Sequence, residues 1–315
     1  MTTAVVFAYH EVGYRCLSAL LAHGVDVRLV LTHENDPSEH IWFSSVADLA
    51  RENDLPCVAP ADVGSDDWQD RIGALRPDFI FSFYYRRMLP VSLLSRASRG
   101  AYNMHGSLLP AYRGRVPVNW AVINGECETG ATLHAMVEKP DAGAIVAQQR
   151  VPIFPDDTAG EVFGKVAVAA EIALDAVLPS LLTGTAAHRE QDLTCGSYFG
   201  GRKPADGLID WHLPAARVHN LVRGVAPPYP GAFTDIEGHH LRVLRSKRLA
   251  DRAPEARSSP RLAVHDGRII ATCGDGGSLW LLDIEHEDQR IDATGFTALF
   301  GSTAVPLGQP VSSAL

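Results

Sequence analysis

Two hydrophobic periods alternate along the first 190 residues. Unbroken apolar runs at Ala4 to Tyr9, Val25 to Thr32, Pro56 to Val58 and Phe79 to Phe83 have the length and branched character of buried strands. Between them, apolar residues recur every three or four positions, which predicts helices over Arg15 to His23 (closed by Gly24), Ser45 to Asn53 and Asp66 to Leu75. Such alternation predicts an α/β fold with a mostly parallel sheet covered on both faces. Ligands of such sheets bind outside the carboxyl ends of the strands, where Tyr9, His10, Tyr85, Arg86 and His105 fall.

A longer helical period runs from Thr158 to Leu182, carried by Val162, Phe163, Val166, Ala170, Leu174, Val177, Leu178 and Leu181. It predicts an amphipathic helix that packs back on the sheet and closes a first domain over residues 1–188. Residues 189–208, rich in Gly, Thr and charge, read as a linker. A helix over Pro214 to Val222 then precedes β runs at Gly231 to Ile236, His239 to Arg248, Arg268 to Cys273 and Ser278 to Glu285. Turn residues Gly238, Gly267 and Gly274 to Gly277 separate these runs, so a small antiparallel barrel is expected over 209–300, with a frayed tail at 301–315.

Composition narrows the function. The 315 residues carry a formal charge of -9, which disfavours a polyanionic partner or anionic membrane. Five scattered cysteines (Cys16, Cys57, Cys127, Cys195, Cys273), with no C-x-x-C pair, read as buried thiols in a reducing compartment. Met1-Thr2-Thr3 leads straight into a strand and no segment reaches transmembrane length, so a cytoplasmic protein is expected, with no membrane insertion. The oligomeric state is not legible.

The richest chemistry lies in Asn103-Met104-His105-Gly106-Ser107-Leu108-Leu109-Pro110-Ala111-Tyr112-Arg113-Gly114-Arg115, followed by Asp141-Ala142-Gly143. A β run from Ala101 to His105 puts Asn103 and His105 on one strand face and delivers them into a Gly, Pro and Arg loop. Asp141, after a second β run over Ala131 to Val137, sits in turn chemistry between Pro140 and Gly143. Amide, imidazole and carboxylate together suit acyl transfer: a donor for an oxyanion, a proton carrier, and a charge that raises the carrier's pKa. By residue type, Arg113 and Arg115 could fork onto a carboxylate or phosphate.

These residues resemble the folate-dependent formyltransferases, which share an Asn-x-His pair, a Ser-Leu-Leu-Pro-x-x-Arg-Gly loop and a later Asp-x-Gly. Phe7 to His10, Phe81 to Arg86 and Asp141 to Gln148 look most like the members that act on UDP-4-amino-4-deoxy-L-arabinose in lipid A modification and polymyxin resistance. The similarity runs from residue 3 to about residue 285. It implies a Rossmann-like formyltransferase domain followed by a barrel similar to an OB-fold, with Asn103, His105 and Asp141 catalytic. It implies 10-formyltetrahydrofolate as co-substrate, held by Arg87, Met88, Leu89, Arg115 and the segment Val137, Glu138, Lys139, Pro140. Arg87 and Met88 depart from the side chains of the relatives, so contacts there are expected through backbone. Tyr9, His10, Tyr85, Arg86, Arg113 and Arg202 are position-based candidates for the sugar nucleotide.

Other functions lose ground on what is missing. Phe7 to Gly13 stands where a G-x-G-x-x-G would follow the first strand, so no NAD is expected, and no metal motif appears. In the lipid A route the relatives carry a second, NAD-using decarboxylase half, so that step is expected from a separate polypeptide. Methionyl-tRNA formyltransferase is the alternative, but its members carry a basic insertion where this chain has the acidic Thr32 to His40. A formyltransferase for another UDP- or dTDP-linked amino sugar also fits, because one methyl or hydroxymethyl difference discriminates weakly.

Overall fold

The computed structural model describes residues 1–37, 41–249 and 259–308. Its contacts divide the chain into two compact units: 1–117, 128–152 and 163–200 form the first, and 118–127, 153–162 and 201 onward form the second.

In the first unit the strands are β1 (Thr3–Ala8), β2 (Asp26–Leu31), β3 (Cys57–Val58), β4 (Phe79–Phe83), β5 (Gly100–His105), β6 (Arg113–Gly114), β7 (Glu128–Ala135), β8 (Ile145–Pro152) and, later in the chain, β9 (Tyr198–Phe199). The helices of the first 200 residues are α1 (His10–Ala22), α2 (Val46–Glu52), α3 (Asp66–Ala74), α4 (Val91–Leu94), α5 (Pro117–Asn124) and α6 (Ala159–Thr183). One sheet runs in the order β3-β2-β1-β4-β5-β7-β8. Its first five strands are parallel, whereas β7 and β8 are antiparallel. Burial on both faces explains the continuous apolar runs: Val5, Phe7, Ile80, Phe81 and Phe83 are fully enclosed.

Helix α1 begins at His10, five residues before the expected start, because Gly13 lets its first turn lie against the strand ends. A Cβ at Gly13 would stand 3.1 Å from the Ala8 carbonyl carbon and 3.2 Å from the Phe83 oxygen. Helix α6 is long and apolar enough by composition to cross a membrane, contrary to the sequence expectation. Here it is a core helix. Val166, Ala167, Ala170 and Leu174 are buried, while Glu171 pairs with Arg15 of α1 and Asp175 with His23, the residue just after that helix.

The second unit contains α7 (Ala215–Val225) and the strands β10 (Ala232–Ile236), β11 (His239–Arg248), β12 (Arg261–His265), β13 (Arg268–Thr272), β14 (Ser278–His286), β15 (Gln289–Arg290) and β16 (Ala304–Pro306), with α8 (Ala293–Phe300) before the last. The strands form a curled antiparallel sheet, a half-barrel, in the order β10-β11-β14-β13-β12-β16, with β15 added to β14. Its core gathers Trp211, Val218, Val222, Leu241, Leu281 and Phe296.

Four expectations need correction. Residues 301–315 are not all tail: Ala304–Pro306 pairs with Arg261–Ala263, and Val305 is buried against the sheet, while 309–315 lie outside the described residues. Strand β12 and helix α8 were not anticipated. The stretch 189–208 is more than a linker, since Arg189 bridges Ile145 and β9 pairs with β6. Of the cysteines, Cys16 and Cys273 are buried, Cys57 is half-buried, and Cys127 and Cys195 are exposed; all five are free.

Candidate active site

Two strand features assemble a polar cluster at the sheet. Asn103 and His105 alternate onto one face of β5, and the antiparallel register sets His134 of β7 directly opposite Asn103. Asn103 Nδ2 donates to His134 Nε2 at 3.1 Å. The other ring nitrogen, Nδ1, donates to the Ala135 carbonyl at 2.9 Å, which makes Nε2 the acceptor of the neutral ring. His134 went unnoticed in the sequence, because one histidine in an apolar strand reads as packing. Its signal was its place two residues after Thr132, in phase with the inward face.

Asp141 joins both histidines. Its Oδ1 lies 3.6 Å from His105 Nδ1 and 3.5 Å from His134 Nε2, while Oδ2 accepts the Gly114 N–H at 2.9 Å. Asp141 adopts φ 53°, a left-handed conformation that aspartate tolerates better than most residues. Burial pushes its carboxyl upward, but the two imidazoles and the Gly114 amide outweigh that and bring it down to about 2. The carboxylate is therefore ionised at neutral pH.

His105 Nε2 donates to the Tyr112 carbonyl at 2.8 Å, so the neutral ring keeps its lone pair on Nδ1, facing Asp141. Asp141 pulls the His105 pKa upward, as expected, but it does not set the net direction. Burial dominates and holds the imidazole below its ordinary value, with Asp141 and the Tyr112 carbonyl only partly restoring it. His105 is a neutral base at rest.

The loop after β5 is braced from several sides. Thr132 Oγ1 donates to the Ser107 carbonyl at 2.6 Å and accepts from Leu109 N–H and from Gln148 Nε2, which also donates to the Leu109 carbonyl. At Gly106 a Cβ would fall 1.9 Å from Tyr84 Oη, so any larger residue would have to displace the tyrosine hydroxyl. At Gly114 it would fall 2.2 Å from the Phe199 carbonyl oxygen, in the β6–β9 clasp. Gln191 Nε2 donates to the carbonyls of Asp141 (3.0 Å) and Gly143 (2.6 Å), pinning the carboxylate's turn.

The other candidates separate by environment. Tyr9, after β1, is buried, donates its hydroxyl to Asn35 at 3.0 Å and lies 4.7 Å beneath the Arg86 guanidinium. His10 stacks on Phe43 with ring centroids 3.8 Å apart, and its Nδ1 has no hydrogen-bond partner among the described residues. Burial, aided by Arg86, depresses its pKa to about 3. Tyr85 is buried against Phe7 and His33, and Leu89 lies in the same apolar cluster as Tyr85 and Phe7. Arg87 turns away to the carbonyls of Pro60 and Ala61, leaving Met88 exposed.

Arg113 is buried, with its Nε unpartnered among the described residues, while Arg115 is exposed and its backbone N–H donates to Phe199. Val137, Glu138 and Lys139 are exposed and Pro140 half-buried just before Asp141. Arg202 belongs to the second unit, where it covers Trp120 and donates to the Asp206 carbonyl. Beyond β1, β2 and β3 lies a cleft of about 320 Å³ whose walls include Tyr9, Thr32, His33, Glu34, Asn35 and Phe43. Of the acidic stretch Thr32 to His40, residues 38–40 lie outside the described residues.

Comparison with known proteins now decides the family. A model described as formyl transferase matches residues 13–178, and one described as formyl transferase, C-terminal domain, matches 202–299. The chain belongs to the formyl transferase family. Solved structures share this formyl transferase fold. An N-formyltransferase from Helicobacter canadensis, in complex with folinic acid and dTDP-3-aminofucose, is 19% identical at a TM-score of 0.71, over 92% of this chain and 100% of its own. A sugar 3N-formyl transferase crystallised with dTDP and 5-N-formyl-THF is 18% identical at a TM-score of 0.70, over 92% of this chain and 99% of its own. A 4-N formyltransferase from Francisella tularensis is 20% identical at a TM-score of 0.62, over 75% of this chain and 93% of its own.

Proposed function

We propose that this enzyme transfers the formyl group of 10-formyltetrahydrofolate to an amino group on a nucleotide-linked sugar. The Asn103–His134–Asp141–His105 cluster carries the reading. The motifs quoted above favour the 4-amino group of UDP-4-amino-4-deoxy-L-arabinose as acceptor, and hence a role in lipid A modification and polymyxin resistance. Free thiols throughout and the net charge of -9 support a cytoplasmic enzyme of small-molecule substrates rather than of tRNA.

The residues present suit the formyl donor. Tyr85, Leu89 and Met136 belong to one apolar cluster, which anchors both the loop at Arg87 to Leu89 and the segment leading into Val137 to Pro140. Exposed Met88 and Val137 offer apolar surface to a flat ring, and Arg115 offers a cation for a carboxylate.

Chemically, the sugar amine attacks the formyl carbon, a C–N bond forms, and the carbonyl oxygen gains negative charge. Asn103 has a second amide N–H beyond the one given to His134, and that N–H stabilises the oxyanion. His105 Nδ1 takes the proton shed by the attacking nitrogen. The resulting imidazolium is held by ionised Asp141 until the proton passes to N10 of the folate as the old C–N bond breaks. The products are a formamide and tetrahydrofolate, with no proton gained or lost overall.

The test is folate release from 10-formyltetrahydrofolate against a panel of UDP- and dTDP-linked amino sugars, with methionyl-tRNA as competitor. Turnover with a UDP-linked 4-amino sugar is expected. Preferential formylation of the tRNA at moderate salt would overturn the assignment.

A further inference from the structure

We propose that the cleft beyond β1, β2 and β3 holds the nucleoside of the acceptor, with the Glu34 carboxylate accepting the ribose 2′-hydroxyl, so that the enzyme selects ribonucleotides over 2′-deoxyribonucleotides. This rests on the amino-sugar reading above and assigns the residue that would enforce its preference for a ribonucleotide.

Strand spacing fixes the layout. Adjacent strands lie about 4.8 Å apart, so in the order β2-β1-β4-β5 the end of β1 stands about 10 Å, and the end of β2 about 14 Å, from His105. A sugar joined to a nucleoside through a diphosphate spans that separation, with its amine at β5 and its nucleoside past β1. The end of β1 is locked to that of β4 by the Tyr9 N–H, which donates to the Phe83 carbonyl at 3.1 Å, so the strand ends form one continuous floor.

Charge fixes the direction. Arg86, exposed and lying over the Tyr9 ring, stands after β4 where the diphosphate would cross. The cleft wall instead carries Glu34, whose charge repels phosphate and suits a hydroxyl donor. At about 320 Å³ the cleft falls near the lower end of small-ligand sites. Phe43 gives a base an apolar face. Asn35 spends its Oδ1 on the Tyr9 hydroxyl, which leaves its N–H groups for a base carbonyl. An acidic residue just past the second strand of such a sheet is where a ribose hydroxyl is read in dinucleotide folds, and Glu34 occupies that place three residues after Leu31.

The experiment measures binding of UDP, 2′-deoxy-UDP and dTDP by titration calorimetry to the full chain, to Glu34→Gln and to Ala47→Trp. Ala47 is an exposed lining residue, so the larger ring blocks the cleft without entering the core. Tetrahydrofolate binding is measured alongside as the check on folding. The wild type is expected to bind UDP about tenfold or more tighter than 2′-deoxy-UDP. Glu34→Gln should bring UDP close to the affinity of 2′-deoxy-UDP while leaving the latter unchanged. Ala47→Trp should weaken all three nucleotides and spare tetrahydrofolate. Equal wild-type affinity for UDP and 2′-deoxy-UDP would overturn the Glu34 assignment alone. Normal UDP binding by Ala47→Trp would overturn the placement of the nucleoside. Absence of any nucleotide binding would remove the amino-sugar reading with it.

Discussion

Asn103 and His134 face each other across β5 and β7, with the amide donating to the ring nitrogen at 3.1 Å. The contact fixes the amide plane, and with it the direction of the second N–H. His134→Ala should therefore lower kcat by roughly tenfold to a hundredfold with little change in KM for either substrate, less than the loss of the donor itself. His134→Gln, which keeps an acceptor, should recover part of it. Steady-state kinetics on the folded variants decides this, and a pure KM effect would refute a positioning role.

Asn103→Ala and His105→Ala should each cost on the order of a hundredfold or more in turnover while the fold persists, because both act where charge develops. Near-normal turnover in either purified variant would remove that residue from the chemistry.

Asp141→Asn should lose most activity and shift what remains along the pH axis. Asp141 raises the His105 pKa against the downward pull of burial, so removing its charge lowers that pKa further. The acidic limb of kcat/KM should then move to lower pH. An unmoved limb in the variant's profile would show that Asp141 does not tune His105.

The same carboxylate links stability to pH. Its folded pKa of about 2 lies below the ordinary carboxylate value of 3.8, so its contribution is fully present above about pH 4 and is lost as pH falls toward 2. Denaturant titrations of wild type and Asp141→Asn should show the difference between them shrinking across that window. His10 acts higher: with a folded pKa near 3 against 6.5, its contribution to stability falls as pH drops from about 6.5 to 3. His10→Asn, which tolerates the φ of 66° at that position, should flatten that part of the curve.

Thr132→Val keeps the volume but removes a hydroxyl that serves Ser107, Leu109 and Gln148 together. A loss of about 1–3 kcal/mol in unfolding free energy is expected, since buried groups lose their partners. An unchanged denaturation midpoint would mean that the loop does not depend on this anchor.

Local patterns revealed much of the sheet and three members of the cluster. Asn103 and His105 were readable because a strand repeats every two residues and a Gly-Pro loop follows, and Asp141 because turn residues flank it. His134 was hidden, because its meaning lies in the register between β5 and β7, which no local period records. The downward pull on the His105 pKa is hidden for a related reason: a neighbouring charge is visible in sequence, whereas enclosure is not. In the second unit, Asp266-Gly267, both with positive φ, closes the hairpin of β12 and β13, yet only its glycine carries a clear turn signal in sequence. Strand β16 is three residues long, and its partner lies some forty positions earlier, too short and too distant for periodicity to find.

The clasp between β6 and β9, with Gln191 at the turn of Asp141, changes how residues 189–200 should tolerate insertion and deletion. Surface connections ordinarily drift in length among relatives at little cost. Here both ends are tethered, one to Ile145 through Arg189 and the other to Arg113 and Gly114 through Tyr198 and Phe199. A gained or lost residue between the tethers would pull on the turn that aims the carboxylate. Among relatives that share the clasp, the spacing between these tethers should be kept even where the side chains between them diverge.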